Sequence, residues 1–277
     1  MIRKITKPEE LNTDLLRQSW RGRNMYAYYK AYGLHYDFCE FYQVGRNGIL
    51  LRFNSTVLLV TPGPDNFDTD EIVGLALFLR MHKPFRIETD FAMQLCPYLP
   101  EYVPLHRTTF QLHPGQENEI STQDAEQRIN FNPELEQVYR ILQAGFPHLQ
   151  DYPLWLTDMS HRCRHGISHV LTYQDSTTAS LVFDIDDLVL VGQVATLPEA
   201  RGLGHARMFL RWLAGWLAGF HKTAVLYALD IRESFYREIG FEAIAEEFVL
   251  ERSAQAEDFN LNLNNSDSIM KGLLEDV

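Results

Sequence analysis

The strongest constraint in this sequence is that runs typical of strands alternate with runs typical of helices in both halves of the chain. In the second half, short apolar and β-branched runs lie at 168–173, 179–185, 188–196, 224–228 and 243–251. Runs with a helical spacing of apolar residues lie at 133–144, 155–165, 204–220 and 232–239. Such alternation predicts a mixed α/β (α+β) fold, in which helices flank a central mixed sheet.

The first half has a similar order of elements. Its apolar spacing predicts a helix over 14–32, strands at 38–44 and 49–60, and a helix over 70–82. Shorter strands and a small helical piece follow, up to residue 112. Each half therefore contains enough elements for a domain of its own.

The polar stretch 113–127 has no apolar period, so it is the best candidate for a linker. On this basis the sequence predicts an accessory domain at 1–115 and a second domain at 128–252. The remaining residues, 253–277, are polar and rich in asparagine, and we expect them to form a loosely held tail.

Acidic residues outnumber basic ones, with 37 Asp and Glu against 25 Lys and Arg, so the formal charge at pH 7 is −12. A chain this acidic is a poor partner for nucleic acid or an anionic membrane. The N-terminal segment lacks the apolar core of a signal peptide, and no apolar run reaches the ~20 residues of a membrane span. Cys39, Cys96 and Cys163 fit neither a disulfide framework nor a paired-cysteine metal site. We therefore expect a cytoplasmic protein that binds neither nucleic acid nor membrane.

The most informative segment joins the end of the predicted strand 188–196 to the next helix. Its sequence is VATLPEARGLGHAR, from Val194 to Arg207. Gly202 and Gly204 allow the backbone to approach a ligand without a Cβ atom in the way. The free N–H groups at a helix start, together with the positive end of the helix dipole, form an anion site suited to a pyrophosphate.

A second motif, FYREIGF, spans Phe235 to Phe241. Together the two segments resemble the Arg/Gln-x-x-Gly-x-Gly/Ala acyl-CoA signature and the F-Y-x-x-x-G-F motif of the Gcn5-related N-acetyltransferase (GNAT) superfamily. The order of elements in the second half is also similar to that family. The first half resembles a degenerate copy of the same fold, so the resemblance implies tandem GNAT-like domains.

The resemblance implies that acetyl-CoA binds as a co-substrate, without a metal, beside the splayed end of strand 188–196. The residues it assigns to cofactor binding are Val194, Ala195, Thr196, Arg201, Gly202, Leu203, Gly204, His205, Ala206 and Arg207. A backbone N–H near Val194 or Ala195 would stabilise the oxyanion, and Tyr236 would protonate the leaving thiolate. Tyr236 is equally expected as an aromatic residue that packs in the core beside Phe235.

One departure from the family concerns the general base. Many relatives carry a glutamate in the strand before the bulge, whereas the strand here reads LVLVGQV and contains no carboxylate. Gln193 in this strand cannot accept a proton at neutral pH. Cofactor binding is therefore better supported by the sequence than any particular base.

By resemblance, the helix 155–165 lines the acceptor pocket. We expect His165 to accept the amine proton, because an imidazole of pKa ~6.5 is partly neutral near pH 7. The residues of this helix expected to bind the acceptor are Asp158, His161 and Arg164. The alternative is a solvated polar face, and a weaker interpretation is a metal-dependent enzyme with Asp158, His161 and His165 as ligands.

The segment of the first half that corresponds to the glycine loop contains Asp65, Asp68 and Asp70, which would repel a pyrophosphate. We therefore expect one cofactor site, in the second half. The sequence predicts transfer of an acetyl group from acetyl-CoA to the primary amine of a small molecule or peptide, and it leaves room for a homodimer. The alternative is a non-catalytic acyl-CoA-binding or interaction protein that has kept the cleft and lost its base.

Overall fold

The computed structural model describes residues 2–63, 67–114, 127–146, 149 and 151–253. Contacts divide the chain into two compact units. Unit 1 contains Glu40–Leu105, the residues up to Ile5 and those from Phe248 on, whereas unit 2 contains Thr6–Cys39 and His106–Glu247. These units differ from the predicted sequential domains 1–115 and 128–252, because 6–39 belongs to unit 2 and the end of the last strand to unit 1.

The strands are β1 (Ile2–Lys4), β2 (Cys39–Val44), β3 (Gly48–Phe53), β4 (Thr56–Val60), β5 (Arg86–Glu88), β6 (Tyr102–Leu112), β7 (Ile129–Asn130), β8 (His169–Tyr173), β9 (Thr177–Ile185), β10 (Leu188–Thr196), β11 (Thr223–Leu229) and β12 (Glu242–Arg252). The helices are α1 (Thr13–Leu16), α2 (Trp20–Tyr32), α3 (Thr69–His82), α4 (Ala92–Leu95), α5 (Leu135–Gly145), α6 (Tyr152–Arg164), α7 (His205–Gly219) and α8 (Asp230–Glu238). Each half repeats the order strand, two helices, three strands, helix, strand, helix, strand. The predicted mixed α/β class is confirmed. No helix in the described part of the chain could span a lipid bilayer.

Two predicted elements are divided in the structure. The predicted helix 14–32 is two helices, because Ser19 begins a new helix by accepting a hydrogen bond from the N–H of Gly22 at 3.1 Å. The predicted strand 49–60 is the hairpin of β3 and β4, which reverses at Asn54 with a φ of 49°. Asparagine tolerates this left-handed conformation better than most residues, so the Asn54-Ser55 pair marks the turn.

Unit 1 contains a sheet with the strand order β1-β2-β3-β4-β5-β12. β1 pairs antiparallel with β2 and β3 with β4, whereas β4 and β5 are parallel and are joined by α3. Leu50, Leu59, Leu79 and Ile87 contribute buried side chains to one apolar core, which comes from β3, β4, α3 and β5.

Unit 2 contains a mixed sheet with the strand order β6-β11-β10-β9-β8-β7, in which β10 and β11 are parallel and the other neighbouring strands pair antiparallel. On one face, Phe209 of α7 and Tyr236 of α8 pack in a core with Val189. On the other face, Trp155 of α6 packs in a cluster with Ala195, to which α5 also contributes. We call these the α7–α8 face and the α5–α6 face.

Helix α2 comes from the first half of the sequence but lies in unit 2, against β9 and β10. Ionic contacts at the turn between these strands help to hold it there. Arg17 donates to Asp186 at 2.8 Å, and Arg23 donates to Asp187 at 2.5 Å. These contacts explain physically why segment 6–39 belongs to the second unit.

Each unit is completed by a strand from the other half of the sequence. Residues 107–112 of β6, which follow the helices of the first half, pair with 224–229 of β11 in unit 2. Residues 249–251 of β12, at the end of the second half, pair with 86–88 of β5 in unit 1. The two halves therefore exchange their last strands.

Unit 1 also contains a carboxylate, that of Glu40, which accepts several hydrogen bonds. Glu40 accepts hydrogen bonds from Lys4 Nζ at 2.6 Å, Tyr42 Oη at 2.7 Å and Arg52 Nε at 3.0 Å. Burial alone would raise the pKa of Glu40, but these hydrogen bonds lower it to about 2. The ionised carboxylate therefore ties β1 and β3 to β2.

We expect part of the free energy of unfolding to be lost as the pH falls from 4.5 to about 2, because the folded-state pKa of Glu40 is depressed and its contribution is present only when it is ionised. Glu40→Gln should remove this part of the pH dependence and cost about 2–3 kcal/mol near neutral pH. Urea denaturation at about pH 7 and about pH 3 measures both effects. Glu136→Gln on α5 changes an exposed glutamate and is the control; equal losses in the two variants would contradict the role of Glu40.

Candidate functional site

The pairing of β10 with β11 in unit 2 ends partway along both strands. The two strands pair in register from Leu188 with Thr223 to Val191 with Leu226. Beyond that point the described strands show no further pairing, although β10 continues for five more residues and β11 for three. The strands therefore diverge, and the backbone groups along their inner edges border a cleft.

β10 also departs from regular pairing with its other neighbour, β9. Gly192 pairs with Ser180 and Ala195 with Thr178, so two residues on β10 stand opposite one residue on β9. This is a β-bulge, in which Gln193 has a φ of 51° and accepts a hydrogen bond from Ser180 Oγ at 2.8 Å. A bulge bends its strand and interrupts pairing, which explains why β10 turns away from β11 at this point.

The loop after β10 ends at a helix N-terminus without a side-chain cap. Gly202 and Gly204 have φ angles of 79° and 78°, and a Cβ at either position would meet no heavy atom within 4 Å. Gly204 is the N-cap of α7, and the first bond of the helix runs from the N–H of Met208 to its carbonyl at 3.0 Å. The N–H groups of 205–207 therefore have no acceptor within the helix and form an anion site with the helix dipole.

Arg201 fixes this loop to the rest of unit 2. Its Nη2 donates to the carbonyl of Ala144 near the end of α5 at 2.6 Å, and its Nε donates to the carbonyl of Thr196 at 3.2 Å. Both acceptors are backbone atoms, so the guanidinium holds the end of β10, the loop and α5 together. The side chain of Arg201 therefore holds the loop in place, and its backbone can carry the predicted contact with a cofactor.

Two other predicted cofactor side chains also have partners within the protein. Arg207 forms an ion pair with Glu238 on α8. His205 Nδ1 lies 2.9 Å from Ser176 Oγ, in the turn between β8 and β9. Leu203, by contrast, is 61% exposed. The loop therefore offers a ligand mainly its backbone and its two glycines.

Tyr236 is a buried aromatic residue of α8. Its ring lies in the core of the α7–α8 face, with centroids 5.5 Å from Phe110 and 5.3 Å from Phe235. Burial raises its pKa, so the phenol stays protonated at neutral pH. Among the described residues the hydroxyl has no hydrogen-bond partner, and it is not fully buried. The ring can therefore pack in the core while its neutral hydroxyl reaches solvent.

The architecture of the chain is similar to that of several solved structures. An acetyltransferase of the GNAT family from Colwellia psychrerythraea aligns with a TM-score of 0.55 and 13% identity, over 91% of this chain and 99% of that chain. A GCN5-related N-acetyltransferase from Sphaerobacter thermophilus aligns with a TM-score of 0.53 and 15% identity, over 91% and 95%. A Drosophila protein aligns with a TM-score of 0.60 and 12% identity, over 91% and 98%. No family model and no curated protein matches the sequence.

The chain has the GNAT fold. The resemblance predicted from the two motifs is thereby confirmed at the level of fold, and the alignments extend over most of the sequence. The splayed pair of strands expected for a GNAT fold is the cleft between β10 and β11. In the first half, β4, α3 and β5 repeat the order of β10, α7 and β11.

The first-half counterpart of the anion site is closed by the chain's own carboxylates. Asp68 caps α3 and accepts from the N–H of Glu71 at 2.8 Å, and the Glu71 carboxylate accepts from the N–H of Asp68 at 3.2 Å. This capping box places two negative charges at the helix start and supports the expectation that the first half binds no pyrophosphate. Asp70 lies in the first turn of α3, whereas Asp65 lies outside the described residues.

On α6, the predicted acceptor-binding residue Asp158 instead joins α6 to α2. Its carboxylate accepts from Tyr32 Oη at 2.5 Å and from Arg162 at 3.0 Å and 2.7 Å. Arg162 is 6% exposed and also donates to the carbonyl of Val182. Burial and the neighbouring Asp158 raise the pKa of Tyr32. The charge of Asp158 is thus neutralised by a buried guanidinium.

His161 and His165 lie further along the same helix. The ring of His161 stacks on Tyr32, with centroids 4.6 Å apart, and its Nε2 donates to the carbonyl of Ala31 at 2.8 Å. His165 is exposed at the end of α6, with its ring 4.4 Å from that of His161. Because Asp158 and His161 are bound elsewhere, the structure does not form the metal site considered for this helix. Arg164 is exposed and bonds only to its own helix among the described residues.

A polar cluster at the end of β11 escaped the sequence analysis. His106 on β6 lies beside Asp230 and Glu233 on α8, with potential ligand atoms all within 4.8 Å of one another. His106 Nδ1 is 2.5 Å from Asp230 Oδ1, and this hydrogen bond raises the pKa of His106. Glu233 accepts from Thr108 and pairs with Arg237. The sequence separation of 124 residues between His106 and Asp230 leaves no local motif by which the cluster could be found.

The contacts of Asp158 predict a structural effect for its substitution. Asp158→Asn should lower the free energy of unfolding by about 3–5 kcal/mol, because it leaves the buried guanidinium of Arg162 without a counter-charge. Chemical denaturation measures the loss. Arg164→Gln on the exposed side of the same helix is the control and should change stability by less than about 1 kcal/mol. Normal stability in Asp158→Asn would favour a role in acceptor binding instead.

Proposed function

We propose that this protein is an N-acyltransferase that transfers an acetyl group from acetyl-CoA to a primary amine of a small molecule or peptide. The observation that carries the proposal is the cleft between β10 and β11, together with the uncapped start of α7 that follows β10. The GNAT-fold neighbours named as acetyltransferases support it. Three free cysteines and an acidic composition support a cytoplasmic setting.

The residues at the cleft fit an extended chain that carries a diphosphate. The inner edge of β10 beyond Val191 is open to hydrogen bonds from a pantetheine arm, which can bind as an added strand would. The N–H groups at 202–207 can donate to the diphosphate, and Gly202 and Gly204 leave the space beside them open. When bound, acetyl-CoA would supply an activated thioester carbonyl.

The remaining chemistry is assigned to residues of the chain. The bulge presents the backbone N–H of Val194 or Ala195 for the oxyanion that develops on the acyl carbonyl. Tyr236, kept neutral by burial, donates a proton to the thiolate, whose conjugate acid has a pKa of ~8.5. Arg201 keeps the loop in place through its two backbone acceptors.

The anion site predicts that Gly204→Val abolishes CoA binding, since its side chain would occupy the open space beside the free N–H groups. Valine is also strained at a φ of 78°, so a control must separate strain from obstruction. Gly166→Val provides it, because Gly166 has a φ of 67° and equally open surroundings after α6. Calorimetry should show at least tenfold weaker CoA binding in Gly204→Val alone. Equal affinities in the two variants would remove the basis for the pyrophosphate site.

A second prediction concerns the proton donor. Tyr236→Phe keeps the packed ring and removes the hydroxyl, so turnover should fall by ~100- to 10,000-fold while CoA affinity stays near that of the parent. Tyr173→Phe is the control, because Tyr173 is a buried tyrosine of the same core. Steady-state rates of thiol release compare the variants. The parental rate in Tyr236→Phe would mean that water protonates the thiolate.

A non-catalytic acyl-CoA-binding protein is the second candidate. One observation favours it: Gln193 stands in the bulge of β10, where a carboxylate could have served as a base. A panel of amines with acetyl-CoA distinguishes the two functions through released thiol. Turnover would establish an enzyme, whereas CoA binding without turnover would establish a binding protein.

A further inference from the structure

We infer that the acceptor is a weakly basic primary amine, such as the α-amine of a peptide or of an amino-acid amide, rather than a strongly basic alkylamine such as a lysine side chain. The inference rests on the proposed function and names the substrate class of that site. It comes from the position of Gln193, from the partners of the surrounding acidic groups, and from the proton balance of amide formation.

Gln193 belongs to the α5–α6 face of the sheet. Ala179 and Leu181, which flank Ser180 on β9, pack in the core of the opposite face. Since side chains alternate along a strand, Ser180 points towards the α5–α6 face, and its hydroxyl holds Gln193 there. The side chain in the bulge, where β10 leaves β11, is therefore an amide. Its oxygen can accept an N–H from an amine but cannot remove a proton from an ammonium group.

Apart from Glu136 and from Glu199, which is exposed in the loop after β10, the acidic groups on the elements around the cleft have partners within the protein. β10 contains no Asp or Glu, and neither do α2 and α7. On α6 and α8 the paired acidic residues are Asp158, Asp230, Glu233 and Glu238. On β12 they are Glu242, Glu246 and Glu247, and on α5 Glu136 is exposed to solvent.

Of the histidines around the cleft, His106, His161 and His205 have hydrogen-bond partners within the protein, whereas the side chain of His165 makes only a ring contact among the described residues. His106 is hydrogen-bonded to Asp230, which favours its protonated form. His161 donates to the carbonyl of Ala31, and His165 lies against it at the exposed end of α6. The side chain at the bulge is therefore a neutral amide rather than a carboxylate. Because this amide cannot remove a proton, the site favours an acceptor amine that is already neutral.

A neutral amine needs no base to start the reaction. Its lone pair forms the C–N bond with the thioester carbonyl carbon, the C–S bond breaks, and the nitrogen releases one proton to water. The thiolate takes one proton from Tyr236, which regains a proton from water. Protons therefore balance for a neutral amine, whereas an ammonium group must first lose an additional proton.

The neutral fraction separates the two classes of amine by a large factor. At about pH 7.5, an α-amine of pKa ~8 is roughly one quarter neutral. A lysine side chain of pKa ~10.4 is neutral in roughly one molecule in 800 at the same pH. The supply of reactive amine therefore differs by roughly 200-fold.

The first test uses the full chain with acetyl-CoA and measures thiol release from about pH 6.5 to about pH 9.5. The acceptors are an amino-acid amide with a free α-amine and an Nα-acetylated lysine amide. Near neutral pH, kcat/KM for the α-amine should exceed that for the ε-amine by roughly 100-fold. The profile for the α-amine should level off above its pKa of ~8, whereas the profile for the ε-amine should still rise at about pH 9.5, because its pKa is ~10.4.

If the rate rises at the same pH for both acceptors, the base belongs to the protein, and the inference is overturned. The variants His165→Ala and His106→Ala would then identify that base. Absence of thiol release with every amine at every pH would instead refute the proposed transferase activity. The two failures are therefore distinguishable in one data set.

The second test installs the missing carboxylate. Gln193→Glu keeps the length of the side chain and its acceptor for Ser180, and it should raise kcat/KM for the lysine amide near neutral pH by at least ~10-fold. Gln193→Met is matched in length but provides no base, so it should show no such rise. An equal rise in both variants, or no rise in folded Gln193→Glu, would contradict the inference. If neither variant folds, the pH profiles of the unaltered protein decide.

Discussion

The parting of β10 and β11 is the constraint on which the site in unit 2 depends. Two parallel strands normally remain paired, and backbone groups left without partners in a protein interior are costly. Here the bulge at Gln193 ends the pairing after four residue pairs and turns both strand edges towards a cleft. The loop after β10 and the uncapped start of α7 directly follow the strand that turns away.

Much of this arrangement could be predicted from local sequence. The strand 188–196 was predicted with the boundaries that the structure shows, because a run rich in Leu and Val lies between two aspartates and a proline. The glycines of the next loop were recognised as positions where the backbone can approach a ligand without a Cβ atom, and the structure gives both a left-handed φ. The packed ring of Tyr236 was one of the two roles that its motif allowed, and the role of its hydroxyl stays a prediction. In these cases, the residues that determine the conformation are close neighbours in the chain.

The features that were missed depend on residues far apart in sequence. The hydrogen bond between Tyr32 and Asp158, 126 positions apart, could not be located without the fold, and the acceptor-binding role of Asp158 stays a prediction. For the same reason, the placement of α2 in unit 2 was not predicted, although the arginines and aspartates that hold it are visible in the sequence. The hairpin at Asn54 is different: its signal was local, but two apolar strands with a short polar turn looked like one longer strand.

The exchange of last strands between the two halves has a consequence for synthesis on the ribosome. β5 emerges early, but its partner in β12 is made more than 150 residues later, so one edge of the nascent sheet waits without that partner. An unpaired strand edge is a template for pairing with other chains. β5 is only three residues long and carries Arg86 and Glu88, and Arg86 later pairs with Glu251 of the arriving strand. A short, charged edge of this kind disfavours pairing with other chains while the ribosome completes this one. The ion pair between Arg86 and Glu251 then joins the last strand to the same edge.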